Sequence, residues 1–381
     1  MKFIDEFRDR ELAGGLAAAI RQAARQQRDY HFMEFCGGHT HAIARYGVSD
    51  LLPANVHMIH GPGCPVCVLP IGRIDMAIRL AVDAGVILCS YGDPLRVPAS
   101  GGLSLLRAKA ALGGSGDIRM VYSAADALRL ARENPQRQVV FFAIGFETTT
   151  PPTAVVIRQA QALGLKNFSV LCCHVLTPAA IASILESPRV RQWGSVRIDG
   201  FIGPAHVSTI IGSRPYEFFA AEYRKPVVIA GFEPLDVMQA ILMLIGQVNA
   251  GRAVVENEFA RAVTRDGNRK AQQLVAEVFE LRRSFAWRGL GELPYSALRI
   301  RSAFADFDAE RRFPISYQAV PDHPACECGA VLRGARRPQD CRIFGSVCTP
   351  ENPVGSCMVS SEGACAAHYS FGRFADAKVA P

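Results

Sequence analysis

No stretch of about eighteen apolar residues occurs anywhere in this chain of 381 residues, which argues against a hydrophobic membrane-spanning helix. The nearest approach, VMQAILMLIGQV at 237–248, is short and broken by glutamine. The opening MKFIDEFRDRELAGG alternates acid and base and lacks the apolar centre of a signal peptide, so a cytoplasmic protein without membrane contact is expected. No phosphate-binding loop is present: Gly145-Phe146-Glu147-Thr148-Thr149 has the glycine and the hydroxyls but no lysine. Charge of one sign is also scarce, the net being +7. The arginine clusters RRSFAWR (282–288) and RGARR (333–337) read as solvated faces or as a surface for an acidic protein partner, not for nucleic acid.

What is abundant is cysteine. Twelve cysteines in a chain expected to sit in a reducing compartment argue against a disulfide scaffold and for metal binding or redox chemistry. Six lie between 326 and 365, and Cys36, Cys64 and Cys67 lie in Gly/Pro-rich loops. Cys89, Cys172 and Cys173 fall inside apolar runs and read as ordinary core residues.

Apolar runs that end in glycine loops recur along the chain: HFMEFCGG (31–38), VHMIHGPG (56–63), GVILCSYGD (85–93), VVFFAIGFE (139–147), FSVLCCHV (168–175), RIDGFIGPA (197–205) and PVVIAGFEP (226–234). Continuous apolar strands separated by helical patterns indicate an α/β fold whose parallel sheets are covered on both faces. GPGCPV (61–66) is echoed by GPAHVS (203–208), YGDPLRV (91–97) by GFEPLDV (231–237), and the loop after EFCGGHTHAI by the loop of AIGFETTTPP. These echoes predict two similar α/β domains, 30–138 and 139–250. A helix within 1–29 is expected to pack on the C-terminal region, and 251–381 to combine a helical connector with a cysteine-rich domain. In open α/β sheets ligands bind beyond the strand C-termini. The loops of the first domain offer Cys36, His39, His41, Cys64, Cys67 and Asp93 there, and those of the second offer Glu147, Thr148, Thr149, His206 and Glu233.

The tail reads C326-x-C328-x12-C341-x6-C348-x8-C357-x7-C365, without the paired CxxC of a zinc ribbon or the CxxCxxC of a ferredoxin. Six thiols are two more than one four-cysteine cluster needs. A [4Fe–4S] cluster with a neighbouring dithiol uses all six, and structural zinc with two bystanders is the alternative. Cys36 and His39, three apart at a strand-to-helix turn, could ligate one metal or simply cap and pack. Cys64 and Cys67 could chelate a soft metal or shuttle between dithiol and disulfide. Glu147 reads as a helix cap or a supporting residue near the crevice, and Glu362 as a proton donor or a surface carboxylate.

Together CGGHTH (36–41), GPGCPVC (61–67), GFETT (145–149), GPAHVS (203–208) and the tail CECGAVLRGARRPQDCRIFGSVCTPENPVGSCMVSSEGACAA (326–367) resemble the HypD family of [NiFe]-hydrogenase maturation factors, essentially end to end. The resemblance implies two similar α/β domains and a third carrying a [4Fe–4S] cluster. It implies a scaffold and redox role in assembling the Fe(CN)2CO centre: one iron is held with a small chaperone, HypC, while cyanide and CO are attached. Cyanide comes from a thiocyanate on HypE, and the finished unit goes to the hydrogenase large-subunit precursor.

Carried onto this sequence, the resemblance makes Cys36 the favoured iron ligand, with Cys64 and Cys67 a redox dithiol and His39 a helper. Glu147, Thr148, Thr149, His206 and Glu362 would surround the bound group. The favoured cluster ligands are Cys326, Cys341, Cys348 and Cys365, with Cys328 and Cys357 as a dithiol or as alternative ligands. Two other readings stand beside this one: an iron–sulfur disulfide reductase acting on a partner protein, and a zinc-bound adaptor.

Overall fold

The computed structural model describes residues 5–111, 116–186 and 197–372. Nine strands build two parallel sheets: β1 (Tyr30–Glu34), β2 (Val56–His60), β3 (Ile87–Ser90), β4 (Asp117–Met120), β5 (Val139–Gly145), β6 (Phe168–His174), β7 (Gly200–Pro204), β8 (Val227–Ala230) and β9 (Val255–Asn257). The first sheet runs β2-β1-β7-β8-β9 and the second β4-β3-β5-β6. Every residue of β5, β6, β7 and β8 is buried, as continuous apolar runs require of strands covered on both faces.

The expected division at residue 138 gives way to an interleaved one. The chain lays down β1 and β2, leaves to build the whole of the second sheet, and returns with β7 to pair beside β1 through Phe32↔Gly200 and Glu34↔Ile202. The two sheets nevertheless share one arrangement: β2-β1-β7-β8 matches β6-β5-β3-β4 strand for strand. The helices that follow β4 and β8 even share a cap, with Asp126 and Asp236 each at the third helical position closing a capping box. The duplication is real in form, but its halves are not consecutive in the chain.

Two further expectations are corrected. The helix Arg10–Ala23 packs on Pro234–Asn249 beside the first sheet rather than on the C-terminal region, because Ala17 and Ile20 on its apolar stripe join Val237, Ile241 and Leu244. Segment 251–300 is helical only at Arg269–Val278. It then forms two antiparallel ribbons, Phe279–Leu281 with Leu298–Ile300 and Ser284–Trp287 with Gly291–Pro294. The alternation in SFAW, with Phe285 and Trp287 buried, is a strand period.

These ribbons fasten the cysteine-rich tail to the second sheet. Phe285 and Trp287 share one apolar core with Cys64, Cys67, Leu88, Val140, Cys328, Cys357 and Cys365. Glu310 anchors the same junction, 2.6 Å from Arg73 on the helix Ile71–Val82 and 2.5 Å from Arg282 on the ribbon side. Burial pushes its carboxyl up, but Arg73 and Arg282 outweigh that and hold it below the usual glutamate range.

Glu310→Gln should therefore lower stability by roughly 3 kcal/mol at neutral pH, since two mostly buried guanidiniums lose their counter-ion. A carboxyl held low in the fold contributes stability above its ordinary range and loses it as pH falls through the lowered value. Urea midpoints measured at pH 7 and pH 4 should show the gap between wild type and variant shrinking in acid.

Candidate functional site

Strand order places the site. The first sheet reverses direction between β1 and β7, and the second between β3 and β5. Such switch points open a crevice beyond the strand C-termini. Cys36 follows β1, His206 follows β7, Asp93 follows β3, and Thr148 and Thr149 follow β5. A cavity of about 570 Å³ is lined by Cys64, Asp93, Thr148, Thr149, His206 and Glu362 with Tyr91 and Tyr122 at hand, so both switch points meet in one crevice.

Cys36 is the N-cap of the helix Gly37–Arg45 and is 1% exposed. Its backbone N–H donates to Glu34 Oε2 at 2.8 Å. The buried Glu34 carboxylate also accepts from Thr40 Oγ1 and lies 2.8 Å from His60 Nδ1. Gly63 packs directly on this turn: a Cβ there would come within 2.6 Å of the Phe35 carbonyl carbon. A Cβ on Gly37 would lie 2.7 Å from Glu362 Oε2, so both glycines allow backbones and carboxylate to crowd around Cys36.

The Cys36 thiol lies 3.2 Å from His206 Nδ1. Burial, then Glu362 and Glu34, push the thiol well above its ordinary value, against the pull of the His39 and Gly38 N–H groups. Burial and His39 lower His206 to about 4, so its imidazole is neutral near pH 7. A neutral thiol beside a neutral imidazole is a ligand pair that must release a proton when a metal arrives.

His39 is used differently from expectation. Its Nε2 lies 3.0 Å from Ala230 O and 2.9 Å from Gly231 O, which fastens the Cys36 helix to β8. Glu147 also stays out of the crevice lining. Its carboxylate accepts from the Thr177 N–H at 2.9 Å and Thr177 Oγ1 at 3.0 Å, and burial pushes it up to about 7 against those hydrogen bonds. It therefore pins β5 to the start of the helix Thr177–Glu186, while Thr148 and Thr149 face the cavity. His41 reaches the tail, with Nδ1 3.2 Å from Ser361 O.

The thiols form a connected series. The Cys67 N–H donates to Cys64 Sγ at 3.3 Å, and the Cys67 thiol is hydrogen-bonded to both Cys64 and Cys357. Cys357 is hydrogen-bonded in turn to Cys328 and Cys365. Ser356 Oγ donates to the Cys67 carbonyl at 2.6 Å, locking the two loops together. Cys326 is hydrogen-bonded to Cys328, and Cys348 Sγ accepts from the Val354 N–H at 3.4 Å. Cys341 stands apart, its Sγ 3.9 Å from Ala325 O.

Acidities differ sharply along the series. Hydrogen bonds from Cys328, Cys365 and Cys67 pull Cys357 well below the ordinary thiol, overcoming its burial. Burial and the contact with Cys357 push Cys67 well above it. Cys357 thus sits at the centre of the series, in contact with Cys67 on one side and with Cys328 and Cys365 on the other. By contrast Cys89, Cys172 and Cys173 lie within β3 and β6, where burial pushes them to about 12, 12 and 11.

Among the described residues no three His, Cys, Asp or Glu side chains surround one ion-sized point. Backbone takes the place of a side chain beside Cys326 and Cys328. A Cβ on Gly355 would meet Cys326 Sγ at 2.5 Å and would collide with Cys328 Sγ as well. Donor type, donor number and the N–H group aimed at Cys348 fit a sulfur-ligated group. The sequence drew attention to His206 through GPAHVS, but its contact with Cys36 depends on the β1–β7 pairing. Nothing in VHMIHG marks His60 as the partner of Glu34.

Glu362→Gln should remove a negative charge that holds the proton on Cys36. Alkylation of Cys36 by iodoacetamide at pH 8, read by peptide mass spectrometry, should then accelerate by about threefold or more. An unchanged rate would place that charge out of reach of the thiol.

A sequence profile described as "HypD: Hydrogenase formation hypA family" matches residues 11–372. A Cupriavidus necator protein named hydrogenase maturation factor HypD is 72% identical over 376 residues, covering 99% of this chain and 98% of its own. Hydrogenase maturation factor HypD2 of Bradyrhizobium diazoefficiens is 66% identical, with 99% and 98% covered. Hydrogenase maturation factor HypD of Escherichia coli K12 is 46% identical, with 97% and 98% covered.

Proposed function

The chain belongs to the HypD family of hydrogenase maturation factors, and from that premise we propose that it holds an iron at Cys36 while cyanide and CO are attached. The same reading has it supply the reducing thiols that free the cyanide. The observation that carries it is the convergence of two chemistries at one crevice: His206, which lines it and touches the buried Cys36, and Cys64, which lines it at the end of the thiol series. The iron is cargo, shared with a cysteine of a HypC-type chaperone and passed as Fe(CN)2CO to the hydrogenase large-subunit precursor. The cytoplasm is the expected compartment, and no helix among the described residues is long and apolar enough to cross a membrane.

When iron arrives, Cys36 must lose its proton, and the neutral His206 Nδ1 at 3.2 Å is placed to accept it. A HypE-type donor presents a thiocyanate, R–S–CN. Cys64 lines the crevice and Cys67 does not, so Cys64 is the attacking thiol. Its thiolate attacks the donor sulfur, the S–C bond breaks, and cyanide leaves with the electron pair. Cys67 then attacks Cys64 Sγ and releases the donor as a thiol. The sum is R–S–CN plus two thiols giving R–SH, HCN and a Cys64–Cys67 disulfide, two electrons having passed from the dithiol to the S–CN bond.

The series behind Cys67 restores it. The Cys357 thiolate attacks Cys67 Sγ and frees the Cys64 thiol. Cys328, hydrogen-bonded to Cys357, then attacks Cys357 Sγ and frees Cys67, which leaves a Cys328–Cys357 disulfide. This use of Cys328 and Cys357 leaves Cys326, Cys341, Cys348 and Cys365 to hold a [4Fe–4S] cluster. A cluster held by these four cysteines would supply one-electron chemistry beside the disulfide. A disulfide reductase acting on a partner protein would use the same thiols, but it leaves the paired Cys36 and His206 without a task.

Infrared spectroscopy tests the reading on protein purified without oxygen from cells that also make the other maturation proteins. Bands of iron-bound cyanide and CO are expected in wild type and absent in Cys36→Ala. Their absence from wild type with its chaperone bound would overturn the iron-holding role.

A further inference from the structure

The thiols differ in exposure in a consistent direction. Cys326 and Cys341 are partly exposed. Cys348 and Cys365 are 6% exposed, Cys328 5%, and Cys357 and Cys67 are fully buried. The series therefore has one solvent-facing side, at Cys341 and Cys326, and runs inward toward the crevice.

The loop Cys341–Cys348 forms that side and is tightly folded. The Phe344 N–H donates to Cys341 O at 3.0 Å, the Cys348 N–H to Ile343 O at 2.9 Å, and the Gly345 N–H to Cys348 O at 3.1 Å, with Gly345 at φ +68°. Its outer surface presents the exposed Arg342 and Val347, the latter 58% exposed. Arg336 and Arg337 stand just before it, with 52% and 76% of their side chains exposed. Segment 333–348 holds four arginines and one acid. The acids near Arg336 and Arg337 are Glu327 at 3.6 Å and Asp340 at 3.8 Å, so with Arg342 the exposed cations remain in excess. An exposed apolar residue on a segment with an excess of exposed cations suits a brief, electrostatically steered encounter with an acidic protein. Small electron-transfer interfaces are of this kind.

We propose that the face formed by Arg336, Arg337, Arg342 and Val347 docks an acidic, low-potential one-electron carrier protein, and that reducing equivalents enter the tail there. The inference rests on the redox reading above and names where its electrons come from. Two successive one-electron deliveries with two protons convert the Cys328–Cys357 disulfide to two thiols, and two molecules of the carrier are each oxidised by one electron.

The test mixes the full chain, with its tail group bound, against a reduced acidic [2Fe–2S] ferredoxin, and follows the tail's visible absorption by stopped flow. Wild type should react with a second-order rate that falls about tenfold between low and moderate salt. The Arg336→Glu/Arg337→Glu/Arg342→Glu variant should be about tenfold slower at low salt and nearly insensitive to salt. Ferredoxin binding measured by calorimetry should weaken in parallel. Photoreduced lumiflavin, which is uncharged and needs no docking face, should reduce both proteins equally, showing that the variant is folded and loaded. Equal, salt-insensitive ferredoxin rates in both proteins would overturn the docking face alone. Failure of lumiflavin to reduce the tail of wild type would overturn the redox reading, and the docking proposal with it.

Discussion

The contact between Cys67 and Cys357 is the constraint on which the rest depends. It joins a loop after β2 to a tail nearly three hundred residues later, inside an apolar core that both segments share. The ribbon carrying Trp287, the Arg73–Glu310–Arg282 triad and the Ser356 bond to the Cys67 carbonyl all hold that junction closed. Without it the cysteine-rich tail would be a separate appendage and Cys64 and Cys67 an isolated pair of thiols. With it, a route of sulfur atoms runs from the exposed edge of the tail to the crevice.

Electrostatics gives that route an order. Burial raises Cys36 and Cys67, as it raises the bystanders in β3 and β6. Cys357 departs from the rule because three thiols donate hydrogen bonds to it. A nucleophile among proton donors is what stepwise thiol–disulfide exchange needs. Cys36 obeys the rule, and on the proposed reading its raised acidity constant keeps it out of that exchange and leaves it for a metal able to displace its proton.

Much of this was legible in the sequence, for reasons that also mark its limits. All seven apolar runs picked out in the sequence are strands, because a strand covered on both faces has no polar side to hide its signal. The strands β4, DIRM, and β9, VEN, lie at sheet edges where charged residues are tolerated, and went unread. The domain boundary was misplaced because pairing is non-local: nothing in RIDGFIGPA says that β7 returns to β1. Cys36, Cys64 and His206 were singled out by residue type and loop context. That His206 meets Cys36 while His39 and Glu147 serve as fasteners is a matter of which loops the interleaved sheets bring together.

The most direct measurement is a trap for the sulfur-to-sulfur contact itself. In a Cys64→Ala/Cys328→Ser/Cys365→Ser variant, Cys67 and Cys357 keep each other but lose the neighbouring thiols that would resolve a bond between them. Mild oxidation followed by peptide mass spectrometry under non-reducing conditions should yield a Cys67–Cys357 disulfide as the main product. Disulfides confined to the tail, with Cys67 recovered as a free thiol, would contradict the continuous relay and reduce CPVC to a dithiol without a source of electrons.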